Sequence, residues 1–399
     1  MATTQPAAGT ADLTVRNATA LLPGEGLTKT DIWISDGRIE RTGTPGPKGP
    51  ALEGAGLMAL PGIVDLHGDA FERMLMPRSG VRFPVAVALA EADRQLLANG
   101  ITTAFHGITC SWEPGLRSRE TVVEVMSTLD WLAPRLGCDT RIHLRHELHN
   151  TGAEDEIRDW IAQGRISLLA LNDHLAMIHD RLDRAEKLSE YTERSGLDAA
   201  AYRRLVADVA GREPDVAGVT ERLCRAAADR GLPIASHDDE TPIMRAHYRG
   251  LGAGICEFPC NAATAEDAIA ANEPVVLGAP NILRGGSHDD RLKAGDAVER
   301  GLCTVLASDY YYPSVLQAAF QLARDEVLPL ETAWDLVSAG PARAAGITDR
   351  GQLSPGQRAD LLLVDPGTPA GPQVVATIAG GRVVHQHDPA GYLQPAAAV

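Results

Sequence analysis

Eight short apolar segments recur through the middle of the 399-residue chain, and they constrain its fold more than any other feature. Helical patterns such as VAVALAEADRQLLANG and ETVVEVMSTLDWLAPRLG separate them. This alternation predicts parallel βα units, and eight units make a (β/α)8 TIM-type barrel. A doubly wound open sheet is the alternative, although no GxGxxG motif follows an early strand. The segments are Leu60–His67, Gly100–Gly107, Thr140–Glu147, Ile166–Asp173, Leu232–His237, Gly254–Glu257, Pro274–Gly278 and Cys303–Asp309.

Both ends of the chain have a β-rich pattern. Within residues 1–57, Asp36-Gly37 separates two alternating apolar runs, which is a strong hairpin signal. Residues 346–399 contain the strand-like runs ADLLLVDP and VVATIAGGRVVHQ. We therefore predict a small β-sandwich domain formed by both termini, around a hydrolase barrel over 58–345. A charged helical stretch at about 178–230 predicts an insertion, either a solvated surface element or a lid.

Charge and composition exclude several classes of partner. The chain carries 37 basic and 53 acidic side chains, a net charge of −16, which argues against nucleic acid and anionic membranes. No apolar run approaches a membrane span and the N-terminus has no signal-peptide pattern, so we expect a cytoplasmic protein. The six cysteines contain no CxxC pair and are expected to be free thiols. A homodimer remains open.

Metal-ligand side chains stand at the ends of four of the predicted strands. LPGIVDLHGD ends in His67 and Asp69, and residues two apart on a strand share a face. Glu147, His237 and Asp309 end the third, fifth and eighth strands. Each alone could cap a helix, but together these groups predict divalent cations, with nitrogen and oxygen ligands suiting zinc, manganese or iron. Five ligands suit two ions, most simply zinc, that share Glu147, with Asp309 as the base for a polarised water.

Two loops at the same rim contain features that suit a phosphate group. The loop after the first strand contains Arg78 and Arg82. The loop after the seventh strand reads RGGSH and contains Arg284, Ser287 and His288. Because Gly-rich turns expose N–H groups to anions, we expect these residues to bind an anionic, phosphorylated small molecule.

Two further strand-end residues leave alternatives open. Glu257 ends the sixth strand and is either a ligand or a substrate contact. His174 follows the fourth strand and could contact substrate, bind an ion or support its neighbours. We expect both among the substrate contacts.

Several motifs together resemble a known family. PGIVDLHGDAFERMLMPRSGVRFP, HDDET, CEFPCNAATAEDA, GAPNILRGGSH and LASDY are similar to the alpha-D-ribose 1-methylphosphonate 5-triphosphate diphosphatases of the carbon–phosphorus lyase pathway of phosphonate metabolism. These belong to the amidohydrolase superfamily, whose HxH motif would here be His67-Gly68-Asp69. The resemblance covers nearly the whole chain. It implies a binuclear metal hydrolase that releases pyrophosphate from a ribosyl triphosphate.

One loop departs from that family's pattern. After Asp-His on the fourth strand the family continues with a Pro-Gly-Gln-Arg-Gln-Phe type stretch, whereas this chain reads NDHLAMIHDRLDRAEK. The expected substrate is therefore this triphosphate or a related phosphorylated compound. Alternatives are an amidase or deaminase acting on a C–N bond and, with less support, a non-enzymatic scaffold.

Overall fold

Two eight-stranded sheets organise residues 12–45, 49–286 and 291–392, the part of the chain that the computed structural model describes. Strands β1 to β16 span Leu13–Leu22, Gly26–Ser35, Arg38–Thr42, Ala51–Glu53, Met58–Pro61, Ile63–Gly68, Ile101–Cys110, Asp139–Glu147, Leu168–Asn172, Ile234–His237, Ile255–Glu257, Val275–Gly278, Val305–Ala307, Leu361–Asp365, Gln373–Ala379 and Arg382–Gln386. Helices α1 to α15 span Glu72–Leu75, Val85–Ala98, Arg119–Leu132, Glu154–Ala162, Leu175–Arg181, Ala185–Ser195, Ala199–Ala210, Glu213–Asp229, Pro242–Gly250, Ala262–Ala270, Ala279–Arg284, Ala294–Glu299, Ser314–Arg324, Leu330–Asp335 and Ala339–Ala344.

The strands β6 to β13 form the predicted barrel. They are hydrogen-bonded in chain order, and each neighbouring pair is parallel. The ring closes where the Asp309 N–H donates to the His67 carbonyl at 2.8 Å and the Asp69 N–H donates to the Asp309 carbonyl at 2.9 Å. Val64 and Phe105 are among the apolar side chains of the interior. The prediction of a (β/α)8 barrel is confirmed, and its closure brings the first and eighth strand ends together.

The second sheet combines the two ends of the chain, as predicted. Its order is β16-β15-β14-β5-β1-β2-β3, and β4 pairs with β1. Asp36 and Gly37 both have positive φ, at 48° and 74°, which suits the tight turn between β2 and β3. Ile34 and Ile39 face one another across that hairpin in a core that belongs to this sheet alone. The exact domain boundaries stay a prediction.

The helices between β9 and β10 divide into two groups. Helix α8 packs against the barrel, because its Val219 and Leu223 belong to the same buried cluster as apolar side chains of α2, α3 and α4. Helices α5 to α7, here called the insertion helices, form a separate core that includes Trp112, Tyr191 and Tyr202. Because Trp112 follows β7, this core attaches the insertion helices to the barrel rim.

Two expectations from the composition concern membrane-spanning helices and disulfides. None of the described helices is long and apolar enough to cross a bilayer. The six cysteines are unpaired, and five of them are buried.

Candidate active site

A cavity of about 320 Å³ opens at the carboxyl ends of the barrel strands. The strand ends of β6, β8 and β10 bring His67, Glu147 and His237 into its lining. Asp69 and Asp309, which follow β6 and β13, also line it. The structure thus brings together the side chains that the sequence predicts as metal ligands, because parallel strands in a barrel end at one rim.

Glu257 lies behind two of these histidines. Its carboxylate accepts from His67 Nδ1 at 2.9 Å and from His237 Nδ1 at 2.7 Å, and it has no solvent exposure. Burial alone raises the pKa of a carboxyl, but His67 and His143 hold the pKa of Glu257 well below its usual range. An ionised Glu257 accepts a proton from each Nδ1, so in the neutral form of each ring Nε2 is the acceptor that can bind a metal. Glu257 is therefore placed as a support of His67 and His237 and is not among the lining residues, which differs from the predicted substrate contact.

Glu147 and His174 form a second carboxylate–imidazole pair. His174 Nδ1 lies 2.6 Å from Glu147 Oε1, and His174 Nε2 lies 3.7 Å from Asp238 Oδ2. Burial opposes the charged form of both partners, yet their mutual attraction lowers the pKa of Glu147 to about 2 and, with Asp238, raises the pKa of His174 to about 9. Glu147 lines the cavity and binds His174, and its role as a shared metal ligand stays a prediction.

Three groups of donor atoms are compact enough to hold a cation. Within each group the donor atoms lie within 4.8 Å of one another. Imidazole nitrogen and carboxylate oxygen at this spacing fit a divalent transition metal. In the group that contains Glu257, the carboxylate already accepts the Nδ1 protons of both rings, so it orients them as ligands rather than binding the ion itself. The groups are His67, His237 and Glu257; His174, His237 and Asp238; and His67, Asp69 and Asp309.

Asp309 is suited to accept a proton. Burial and the neighbouring carboxylate of Asp69 raise the pKa of Asp309 to about 6. Its backbone has a φ of 56° and is fixed by the hydrogen bonds that close the barrel. A carboxylate with a pKa near neutrality at the cavity wall has the properties of a general base.

Arginines from several elements line the same cavity. Arg145 Nη1 lies 3.3 Å from Asp69 Oδ2, and its Nη2 lies 3.3 Å from His237 Nε2. Arg194, on the insertion helices, binds both carboxylate oxygens of Glu113 at 2.6 and 2.7 Å. The cavity-lining arginines are Arg117, Arg145, Arg181, Arg194 and Arg291.

Sequence reasoning missed these arginines, although one signal was available. Arg145 stands two residues before Glu147 on β8, so both side chains share the face that points into the barrel. The same spacing rule had singled out His67 and Asp69. Of the remaining arginines, Arg117 ends a short 3-10 helix, Arg291 lies in a loop, and the other two lie on the insertion helices. Sequence alone does not give the side-chain direction in such segments.

The arginines that the sequence did predict lie elsewhere. Arg82 pairs with Glu124 at 2.6 Å, and Arg284 Nη1 donates to the Tyr310 hydroxyl at 3.1 Å. Arg78 forms a backbone bridge with Val81 in an exposed loop. None of these three is among the described residues that line the cavity. Ser287 and His288 lie outside the described residues, and their substrate-binding role stays a prediction.

Comparison with known proteins identifies the family. A sequence profile of the amidohydrolase family matches residues 310–385. The alpha-D-ribose 1-methylphosphonate 5-triphosphate diphosphatase of Escherichia coli (strain K12) is 32% identical over 323 residues, covering 78% of this chain and 84% of that protein. The chain belongs to the amidohydrolase superfamily.

The chain is also similar to a deaminase in sequence and to another hydrolase in structure. An adenine deaminase of Methylobacterium nodulans is 25% identical over 390 residues, 94% of this chain, although the match spans only 59% of the deaminase. The crystal structure of phenylurea hydrolase B superposes with a TM-score of 0.63 at 15% identity, covering 94% of this chain and 97% of that one. The structural likeness supports the fold of the amidohydrolase, and the superfamily assignment makes the chain a hydrolase.

Proposed function

We propose that this amidohydrolase is a divalent-metal-dependent diphosphatase. Its substrate would be alpha-D-ribose 1-methylphosphonate 5-triphosphate or a related phosphorylated compound of phosphonate metabolism, and pyrophosphate would be the leaving group. The Escherichia coli relative of that name supports the substrate class. Zinc is the preferred ion, with manganese and iron as alternatives, because the donors are imidazole and carboxylate groups.

One observation carries the proposal: a chain of net charge −16 gathers five arginines around a single cavity that also holds the His and Asp donors. A triphosphate carries several negative charges, and attack at phosphorus builds charge on its non-bridging oxygens. Guanidinium groups fixed around those oxygens stabilise that charge. A small neutral substrate offers these guanidinium groups fewer acceptor oxygens and no negative charge.

The proposed roles follow from position. A divalent ion bound among His67, Asp69 and Asp309 would act as a Lewis acid toward the phosphoryl group. Asp309 would accept the proton of the attacking water, because its carboxylate lines the cavity next to the proposed ion. Arg194, held by Glu113 at its Nε and Nη2, would bind the phosphate chain from the insertion helices.

Adenine deaminases favour a second candidate, hydrolysis of a C–N bond. Their similarity runs over 94% of this chain in the Methylobacterium nodulans protein. That chemistry also uses a metal and a carboxylate base, so the metal donors do not separate the two candidates. The arginine-lined cavity favours the phosphorylated substrate.

Parallel product assays on metal-loaded protein test the proposal. One assay follows pyrophosphate release from a ribosyl triphosphate, and the other follows ammonia release from adenine. We expect pyrophosphate release with little or no ammonia. Ammonia release without pyrophosphate would overturn the proposal in favour of the deaminase candidate. A small-molecule substrate, a homodimer and a cytoplasmic location remain predictions.

A further inference from the structure

Arg145 contacts two of the donor residues in the candidate metal groups. It lies on β8, and its guanidinium is within 3.3 Å of both Asp69 Oδ2 and His237 Nε2. The residue is only 6% exposed, and its Nε has no hydrogen-bond partner among the described residues. A guanidinium carries its positive charge throughout the working pH range. A permanent cation therefore stands between the two donor groups that open onto the cavity.

The contact with His237 affects the group of His174, His237 and Asp238. Because Glu257 accepts the Nδ1 proton of His237, the Nε2 lone pair is the only acceptor of that ring, and Arg145 faces it. A divalent ion in this group would need the same lone pair at a bond length of about 2.0–2.1 Å. Asp238 is engaged as well, since its Oδ1 lies 2.5 Å from Arg291 Nη1. Guanidinium groups thus already contact two of the three donors.

The group of His67, Asp69 and Asp309 is different. Arg145 contacts only one carboxylate oxygen of Asp69, which leaves the other oxygen for an ion. The Nδ1 of His67 is bound by Glu257, so in the neutral ring Nε2 is the atom that can bind an ion. Asp309 completes the group from the closing strand of the barrel. One divalent ion can bind here beside Arg145.

We propose that Arg145 replaces the second divalent ion of the site, so that the chain binds a single ion at His67, Asp69 and Asp309. The side chain supplies a fixed positive charge next to His237 and excludes a metal from the group of His174, His237 and Asp238. This inference rests on the proposed metal-dependent hydrolase, and it replaces the two-ion expectation drawn from the sequence.

The test is a count of bound ions made without substrate. The purified protein is loaded with Mn²⁺ and freed of loosely bound ions. Its metal content is then measured by mass spectrometry and its spin state by electron paramagnetic resonance. We expect about one ion per chain and the spectrum of magnetically isolated ions. About two ions per chain with a coupled spectrum would overturn the proposal.

Replacing Arg145 with a neutral side chain of similar length tests whether its charge excludes the second ion. Arg145→Met removes the charge, and Arg284→Met is the matched control outside the cavity lining. We expect Arg145→Met to bind about two ions per chain and Arg284→Met to bind about one. An Arg145→Met protein that still binds one ion would show that Arg145 is not what excludes the second. If Arg145→Met does not fold, the wild-type count alone decides between one ion and two. Since the count needs no turnover, its failure is distinct from failure of the diphosphatase assay.

Discussion

Replacing Glu257 with glutamine tests how the buried carboxylate prepares the histidines for metal binding. The wild-type carboxylate accepts one proton from His67 and one from His237, at 2.9 and 2.7 Å. Glutamine has nearly the same shape, but its Oε1 can accept and its Nε2 can only donate. One ring therefore loses its acceptor, and both rings lose the ionised partner that strengthens them as ligands.

The expected loss of metal affinity follows from the effect of carboxylates that orient metal-binding histidines. Substitution of an outer carboxylate that orients a metal-binding histidine weakens metal affinity by about 10- to 100-fold, or about 1.4–2.7 kcal/mol. We expect Glu257→Gln to lose affinity in this range in a competition titration against a chromogenic chelator. Circular dichroism during thermal unfolding establishes that the variant is folded.

Asp93→Asn is the matched control for this experiment. Asp93 is a partly buried carboxylate on α2 that accepts from the backbone N–H groups of Gly137 and Cys138, and it does not line the cavity. It should lose stability without a change in metal affinity. A folded Glu257→Gln protein that binds metal as tightly as the wild type would refute the reasoning.

Three further predictions concern the base, the arginines and the second carboxylate–imidazole pair. Asp309→Asn should lower kcat by between about 10²- and 10⁴-fold with an unchanged melting temperature, and full activity would remove Asp309 as the base. Arg194→Ala should raise KM for a triphosphate by about 10- to 100-fold, because a hydrogen bond to a charged group contributes about 1.5–3 kcal/mol. Arg284→Ala, the control, should change this KM little. Equal effects of the two substitutions would show that Arg194 does not bind the phosphate chain. In metal-free protein, His174→Gln should cost about 3 kcal/mol near pH 5.5, measured by urea unfolding. The pKa of His174 is raised from 6.5 to about 9, so its contribution to the free energy of unfolding is full below pH 6.5 and is lost as the pH rises through 9. The pKa of Glu147 is lowered from 4.5 to about 2, so its contribution to the same free energy is full above pH 4.5 and is lost as the pH falls toward 2. A cost that does not vary with pH would contradict this pairing.

The sequence predicted the parts of the fold that depend on local periodicity. Apolar runs of strand length that alternate with helical patterns predicted the barrel, and the Asp36-Gly37 turn predicted the β2–β3 hairpin. The cavity positions of His67 and Asp309 followed from the rule that parallel strands end at one rim. These features need no knowledge of distant contacts.

The parts of the site that the sequence did not give depend on tertiary contacts. Glu257 ends a strand like His67 does, but only the packed barrel shows that it points behind two imidazoles. Arg194 reaches the cavity because the insertion helices pack on Trp112 and Glu113, which are distant in sequence. Arg82 was expected at the cavity, but a surface glutamate, Glu124, holds it outside. Loop geometry of this kind is not encoded in a short-range pattern.

Turnover of a ribosyl triphosphate in ¹⁸O-labelled water is the most direct test of the central claim, which is metal-assisted hydrolysis at phosphorus. Metal-loaded protein should release unlabelled pyrophosphate and place the label in the remaining sugar phosphate, as detected by mass spectrometry. The same protein treated with a chelator should leave the triphosphate intact. A triphosphate that stays unchanged with metal-loaded protein, or a label found in the pyrophosphate, would contradict the account.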